Sequence, residues 1–183
     1  MIILISGESC TGKTKLAHEL MCRFNIPYLS IDIVMMGLFR NNTNCGYTPM
    51  DSVYKINQYV WPIIKEMIKT NIENNTTYIY EGFQIRPSTI KQFEPIYSSK
   101  IIPVFLGYSS EYIKNNYTVI KEMRGIIENR NDLDSLNKMI LKNKILQDEC
   151  EAENFDFSCI KNEYTEDIKS IINNVGIKLG KCS

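Results

Sequence analysis

Gly7-Glu8-Ser9-Cys10-Thr11-Gly12-Lys13-Thr14 matches G-x-x-x-x-G-K-[ST] at every fixed position. Each residue type has a physical task in that pattern. Gly7 lets the chain turn sharply out of a strand, and Gly12 lets the backbone N–H groups around Ser9, Cys10 and Thr11 close on phosphate oxygens without a side chain in the way. A helix starting at Lys13 points its positive end at the same anions. Lys13 reaches the transferable phosphate, and the Thr14 hydroxyl is a magnesium ligand. The pattern therefore predicts binding of ATP with Mg2+. A loop that merely turned the chain would leave Lys13 and Thr14 without a purpose.

Two acids follow apolar runs. Tyr28-Leu29-Ser30-Ile31-Asp32 ends in Asp32, and Tyr78-Ile79-Tyr80-Glu81-Gly82 carries Glu81. Both are expected at the carboxyl edge of a parallel sheet, where open α/β sheets bind ligands. Neither is the paired Asp-Glu of motor and transporter ATPases, and Asn143-Lys144-Ile145-Leu146 lacks the acid of the guanine-reading N/T-K-x-D motif. The chain has only five arginines, Arg23, Arg40, Arg86, Arg124 and Arg130. Four of them fall in segments expected to border the site, where a rigid guanidinium fork suits phosphate or carboxylate. The alternative for each is an ordinary surface ion pair.

The elements that must position these residues alternate short apolar runs with amphipathic helices. Strands are predicted at 2–6, 27–31, 77–81, 100–106 and 155–160. Helices are predicted at 13–24, 33–39, from 49 to about 72, 88–93, 110 to about 123, 134–151 and 163–173. Thr48 should cap the long third helix, with Pro49 at its first position and Asp51 as the capping-box acid. Pro62 inside that helix should kink it. Strands buried on both faces and alternating with helices imply a three-layer α/β sandwich around a five-stranded parallel sheet, of the P-loop NTPase and nucleotide-kinase type.

Composition supports one domain over residues 1–183 and removes other classes. Lys plus Arg and Asp plus Glu both number 21. Zero formal charge lacks the basic excess of a general nucleic-acid binder, so no nucleic-acid partner is expected. The first apolar run is too short for a signal-peptide core, and nothing approaches a membrane span. A cytoplasmic protein with no membrane partner is expected. The six cysteines show no C-x-x-C pair and read as thiols in a reducing compartment. His18, the only histidine, falls on the polar side of the first helix, and Trp61 reads as core. Met35, Met36, Phe39, Tyr47 and Met50 suit either an apolar pocket wall or plain core packing.

With the phosphate loop after the first strand, Asp32 after the second, Glu81-Gly82 after the third and an arginine-bearing segment after the fourth, the sequence resembles small-molecule P-loop kinases. The nearest groups in pattern are the chloramphenicol phosphotransferase and zeta-toxin-like kinases and proteins related to 2-phosphoglycerate kinase, with adenylate kinase more distant. The resemblance implies that Asp32 takes the acceptor hydroxyl's proton and that Glu81 helps Thr14 hold magnesium through water. It also implies that Arg40 and Arg86, with Asp32 and Glu81, border a small-molecule phosphate acceptor. Arg124 and Arg130 would lie on a short lid at about 124–132 that closes over the phosphates. The expected activity is transfer of the ATP γ-phosphate to a hydroxyl of a small metabolite or antibiotic. A nucleoside monophosphate kinase and a non-catalytic ATP-binding module remain as alternatives.

Overall fold

The computed structural model describes residues 1–128 and 134–181, with residues 123–128 as backbone only. Its center is β1 (Ile2–Gly7), the continuous apolar run that opens the chain. Every residue of this strand is buried, and its side chains alternate between two cores. Ile2 and Leu4 face one side with residues of α2 (Ile31–Asn41) and α3 (Val53–Glu73). Ile3 and Ile5 face the other with α1 (Lys13–Phe24), α6 (Ser110–Glu128) and α8 (Tyr164–Lys178). This two-sided burial is what a period of two requires of a central parallel strand.

The five strands all pair in parallel in the order β2-β3-β1-β4-β5. Here β2 is Tyr28–Ser30, β3 is Tyr78–Glu81, β4 is Ile101–Tyr108 and β5 is Phe157–Ile160. The chain leaves β1 toward β2 on one side and leaves β3 toward β4 on the other. The loops after β1 and β3 therefore diverge at adjacent strand ends, opening the crevice where doubly wound sheets bind ligands. Two short helices, α4 (Pro87–Ile90) and α5 (Pro95–Ser98), follow β3, and α7 (Leu136–Ala152) packs beside β4 and β5.

Several boundaries differ from the sequence reading for identifiable reasons. Asp32 lies inside the first turn of α2, because that helix begins at Ile31 directly after Ser30. The Thr48–Asp51 pairing forms, with the Thr48 N–H donating to Asp51 Oδ2 at 2.7 Å, but it closes a separate turn. The cap of α3 is Ser52, whose hydroxyl accepts from the Lys55 N–H, so the helix starts at Val53. It then runs unbroken through Pro62. The helix expected at 88–93 is α4, Pro87–Ile90; Arg86 occupies its N-cap, and Pro87 takes the first helical position, where its missing N–H is no loss. α6 continues to Glu128, so Arg124 is helical. Residues 125–128 of the expected lid are helical with it, and 129–132, including Arg130, lie outside the described residues.

Candidate active site

The phosphate loop is built by two glycines that leave no room for a side chain. A Cβ on Gly7 would sit 2.4 Å from the Leu106 carbonyl oxygen and 2.5 Å from Thr11 Oγ1. Gly12 adopts φ +85° as the N-cap of α1, a left-handed conformation that favors glycine, and a Cβ there would lie 1.9 Å from the Tyr164 hydroxyl. The loop is held from below. The Thr11 hydroxyl donates to the Glu8 carbonyl at 2.8 Å, and the Tyr108 hydroxyl at the end of β4 donates to the Cys10 carbonyl at 2.9 Å. Tyr108 in turn stacks on Tyr112 with ring centroids 4.9 Å apart.

Lys13 is buried, and its ammonium donates to the Glu8 carbonyl at 2.9 Å, so it lies folded across the mouth of the loop. Thr14 is exposed at the start of α1, and its hydroxyl donates to Glu81 Oε1 at 3.2 Å. A hydroxyl and a carboxylate beside a phosphate loop form a hard-oxygen donor set of the kind magnesium accepts when substrate phosphates and water complete its shell. Thr14 and Glu81 therefore fit that ion. Among the described residues no cluster of three or more His, Cys, Asp or Glu forms an all-protein metal cage.

Glu81 is 2% exposed. Burial pushes its carboxyl above the usual glutamate range; the Lys13 charge and the Ser30 and Thr14 hydroxyls pull it back, and Asp32 pushes it up again. An acid whose folded value is raised binds more protons in the native than in the unfolded state between the two values, so it loses stability as pH rises through that window. The ligand-free chain should therefore show a downward contribution to stability beginning at the ordinary glutamate value. Denaturant titrations across pH of wild type and Glu81→Gln isolate it, because the variant should lack that slope. Identical slopes would show that Glu81 titrates as in water.

Asp32 is half-buried on the first turn of α2 and is oriented by Gln84, whose Nε2 donates to Asp32 Oδ1 at 2.7 Å. Gln84 is fully buried in the segment after β3, where its backbone carbonyl accepts from Asn57 Nδ2 at 2.7 Å. Arg86 is 3% exposed and is gripped on both sides. Its Nη1 donates to Glu8 Oε1 at 2.9 Å and its Nε donates to Glu149 Oε2 at 2.7 Å, with Nη2 in ion-pair contact with that same oxygen at 2.6 Å. The Tyr54 hydroxyl donates to the other oxygen of Glu149 at 2.6 Å. A guanidinium thus ties the phosphate loop to α7.

The tertiary structure brings Gly7, Gly12, Lys13, Thr14, Asp32, Glu81 and Arg86 to one crevice. Arg40 is exposed in the last turn of α2. It lies about 12 Å along the helix axis from Asp32 at 1.5 Å per residue. Met35 and Tyr47 belong to the core, Trp61 packs edge-on against Phe93, and Met50 is 86% exposed. His18 is exposed, as its helix face predicts. Sequence reasoning missed Glu8 as an Arg86 partner, and missed Gln84, Glu149 and Tyr164. No spacing rule marks a lone Gln or Glu; the available signal was that Glu8 interrupts an otherwise small-residue loop. The Tyr164 hydroxyl is buried beside Gly12 with no hydrogen-bond partner, and burial pushes its pKa up to about 12, so it remains a donor facing the loop.

No protein-family model matches the chain, and no curated protein sequence matches it significantly. Solved structures do match along nearly the whole length. A candidate kinase from Chloroflexus aurantiacus superposes with TM-score 0.61 at 15% identity, covering 95% of each chain. A sugar kinase from Janibacter sp. gives TM-score 0.57 at 13% identity over 99% of this chain and 95% of its own. Shikimate kinase from Aquifex aeolicus gives 0.55 at 16% identity over 98% and 99%. No helix among the described residues is long and apolar enough to cross a membrane. The chain has the five-stranded parallel α/β fold of the P-loop small-molecule kinases.

Proposed function

We propose that this chain is an ATP-dependent, magnesium-requiring phosphotransferase that moves the γ-phosphoryl group to a hydroxyl of a small metabolite or antibiotic. One observation carries the reading: the loop holding Lys13 and Thr14, the Glu81 carboxylate bonded to Thr14 and the Asp32 carboxylate held by Gln84 meet at the switch point of the sheet. The fold shared with shikimate and sugar kinases supports it.

In this reading the backbone amides of residues 7–13 and the end of α1 cradle the phosphates, and Lys13 swings from the Glu8 carbonyl onto the γ-phosphate. Thr14 and Glu81 would hold magnesium, which would neutralize phosphate charge. The acceptor oxygen forms a bond to the γ-phosphorus, the bond from that phosphorus to the β–γ bridging oxygen breaks, and ADP departs with those electrons. The hydroxyl proton passes to the Asp32 carboxylate, whose other oxygen stays fixed by Gln84. Positioning and electrostatics supply most of the rate. Arg124 and Arg130 are proposed to close over the phosphates.

The test is Lys13→Ala. Turnover should fall about 10²–10³-fold, the usual loss when one charge-stabilizing group is removed from the transition state. Calorimetry with an ATP analogue and magnesium should show weakened binding, while thermal unfolding of the ligand-free protein should change little. Equal affinity and equal turnover in the variant would refute the cradle assignment.

A further inference from the structure

Arginine near an acceptor site ordinarily announces an anionic substrate, and Arg86 is placed to do so. Its neighbors argue otherwise. Its Nη1 and Nε are hydrogen-bonded to Glu8 and Glu149, its Nη2 is ion-paired with Glu149, and the guanidinium is 3% exposed between them. The pair of carboxylates outweighs its single charge. Lys13 is the other buried cation here, and the phosphate loop claims it.

The amides beside Arg86 are committed in the same sense. Gln84 is fully buried, and its Nε2 gives one contact to Asp32 Oδ1 and another, at 3.4 Å, to Met35 Sδ. Asn57 Nδ2 is given to the Gln84 carbonyl. Flipping either amide would set its oxygen against a carboxylate or a carbonyl, so both orientations are fixed. What remains unpartnered is oxygen: Gln84 Oε1 and Asn57 Oδ1 are both buried without a donor. The polar groups on the acceptor side accept hydrogen bonds and carry excess negative charge from Glu8, Asp32 and Glu149. An incoming carboxylate or phosphate would meet like charge, and the buried guanidinium there is already paired with two carboxylates. Hydroxyl and ammonium groups would meet acceptors.

We infer that the acceptor is a donor-rich hydroxyl compound bearing no anionic group, a neutral or amine-carrying polyol, with Glu8, Asp32 and Glu149 excluding acidic analogues. The inference rests on the phosphotransferase reading above. Its step has the same balance: the polyol oxygen gains the γ-phosphoryl group, ADP leaves, and the hydroxyl proton goes to Asp32.

The experiment uses the full chain with ATP and magnesium, following ADP formation and the mass of the phosphorylated product. Acceptors are matched sets built on glycerol, erythritol, ribitol and glucose, each offered as the neutral polyol, an amino derivative, a sugar acid and a phosphate ester. The best neutral or amino member should exceed its acidic counterparts by at least about tenfold in kcat/KM, a difference like-charge rejection readily supplies. In Glu149→Gln, which frees part of the Arg86 fork, that ratio should shrink. Preference for a sugar acid or phosphate ester overturns the inference. So does an absence of turnover with every neutral and amino member while calorimetry still shows ATP analogue binding. Loss of analogue binding in the wild type would instead refute the phosphotransferase reading itself. If Glu149→Gln does not fold, the wild-type panel alone decides.

Discussion

Asp32→Asn should lower turnover by about 10²–10⁴-fold while leaving ATP affinity nearly unchanged, the loss expected when a positioned general base can no longer accept a proton. The substitution is close to isosteric, and the retained Oδ1 still accepts from Gln84 Nε2, so the side chain should keep its place. Glu81→Gln should behave differently. Its partner is the Thr14 hydroxyl, and losing its charge should raise the magnesium concentration needed for half-maximal rate, an effect that added metal partly restores. Titrating magnesium against rate in both variants separates the two carboxylates. Rescue of Asp32→Asn by magnesium with none for Glu81→Gln would exchange their roles. A phosphate acceptor is already ionized and needs no base, so full activity on AMP in Asp32→Asn would favor a nucleoside monophosphate kinase.

Arg86→Ala should destabilize the folded chain by about 3–5 kcal/mol, the usual consequence of deleting one member of a buried ion pair and leaving its partners uncompensated. Two carboxylates are involved, with Glu8 16% and Glu149 26% exposed, and the guanidinium between them is almost wholly buried. Denaturant unfolding at neutral pH measures the loss. Replacing all three charges, in Arg86→Leu with Glu8→Gln and Glu149→Gln, should restore most of the stability, because uncharged packing of similar volume costs no ion desolvation. A loss below about 1 kcal/mol would place the pair in the class of solvated surface bridges. ATP analogue binding should weaken alongside stability in Arg86→Ala, since Glu8 also supplies the carbonyl that anchors Thr11 and Lys13.

The division between what was legible in the residues and what was not follows from the range of the interactions. The phosphate loop was readable because its geometry is local. Gly7, Gly12, Lys13 and Thr14 work through backbone conformation and helix start within eight residues, and α1 spans the predicted 13–24. The parallel sheet was readable because two-sided burial forces continuous apolar runs such as Ile2–Ile5. Helix starts were less so, since competing caps lie within a few residues. Thr48–Asp51 and Ser52 both offered valid capping chemistry, and packing of Ile56 and Val60 into the core accompanies the second. What only the tertiary structure decided is pairing across distance: Glu8 with Arg86 and Glu149, Asp32 with Gln84, and Tyr164 against Gly12. These contacts join residues far apart in the chain, and their energies depend on burial and direction, which residue type and spacing do not encode. The sequence by itself determined the G-x-x-x-x-G-K-[ST] loop and the parallel α/β frame that carries it. The folded chain decided that the arginine beside that loop is already neutralized, because Glu8 of the loop and Glu149 of α7 converge on it.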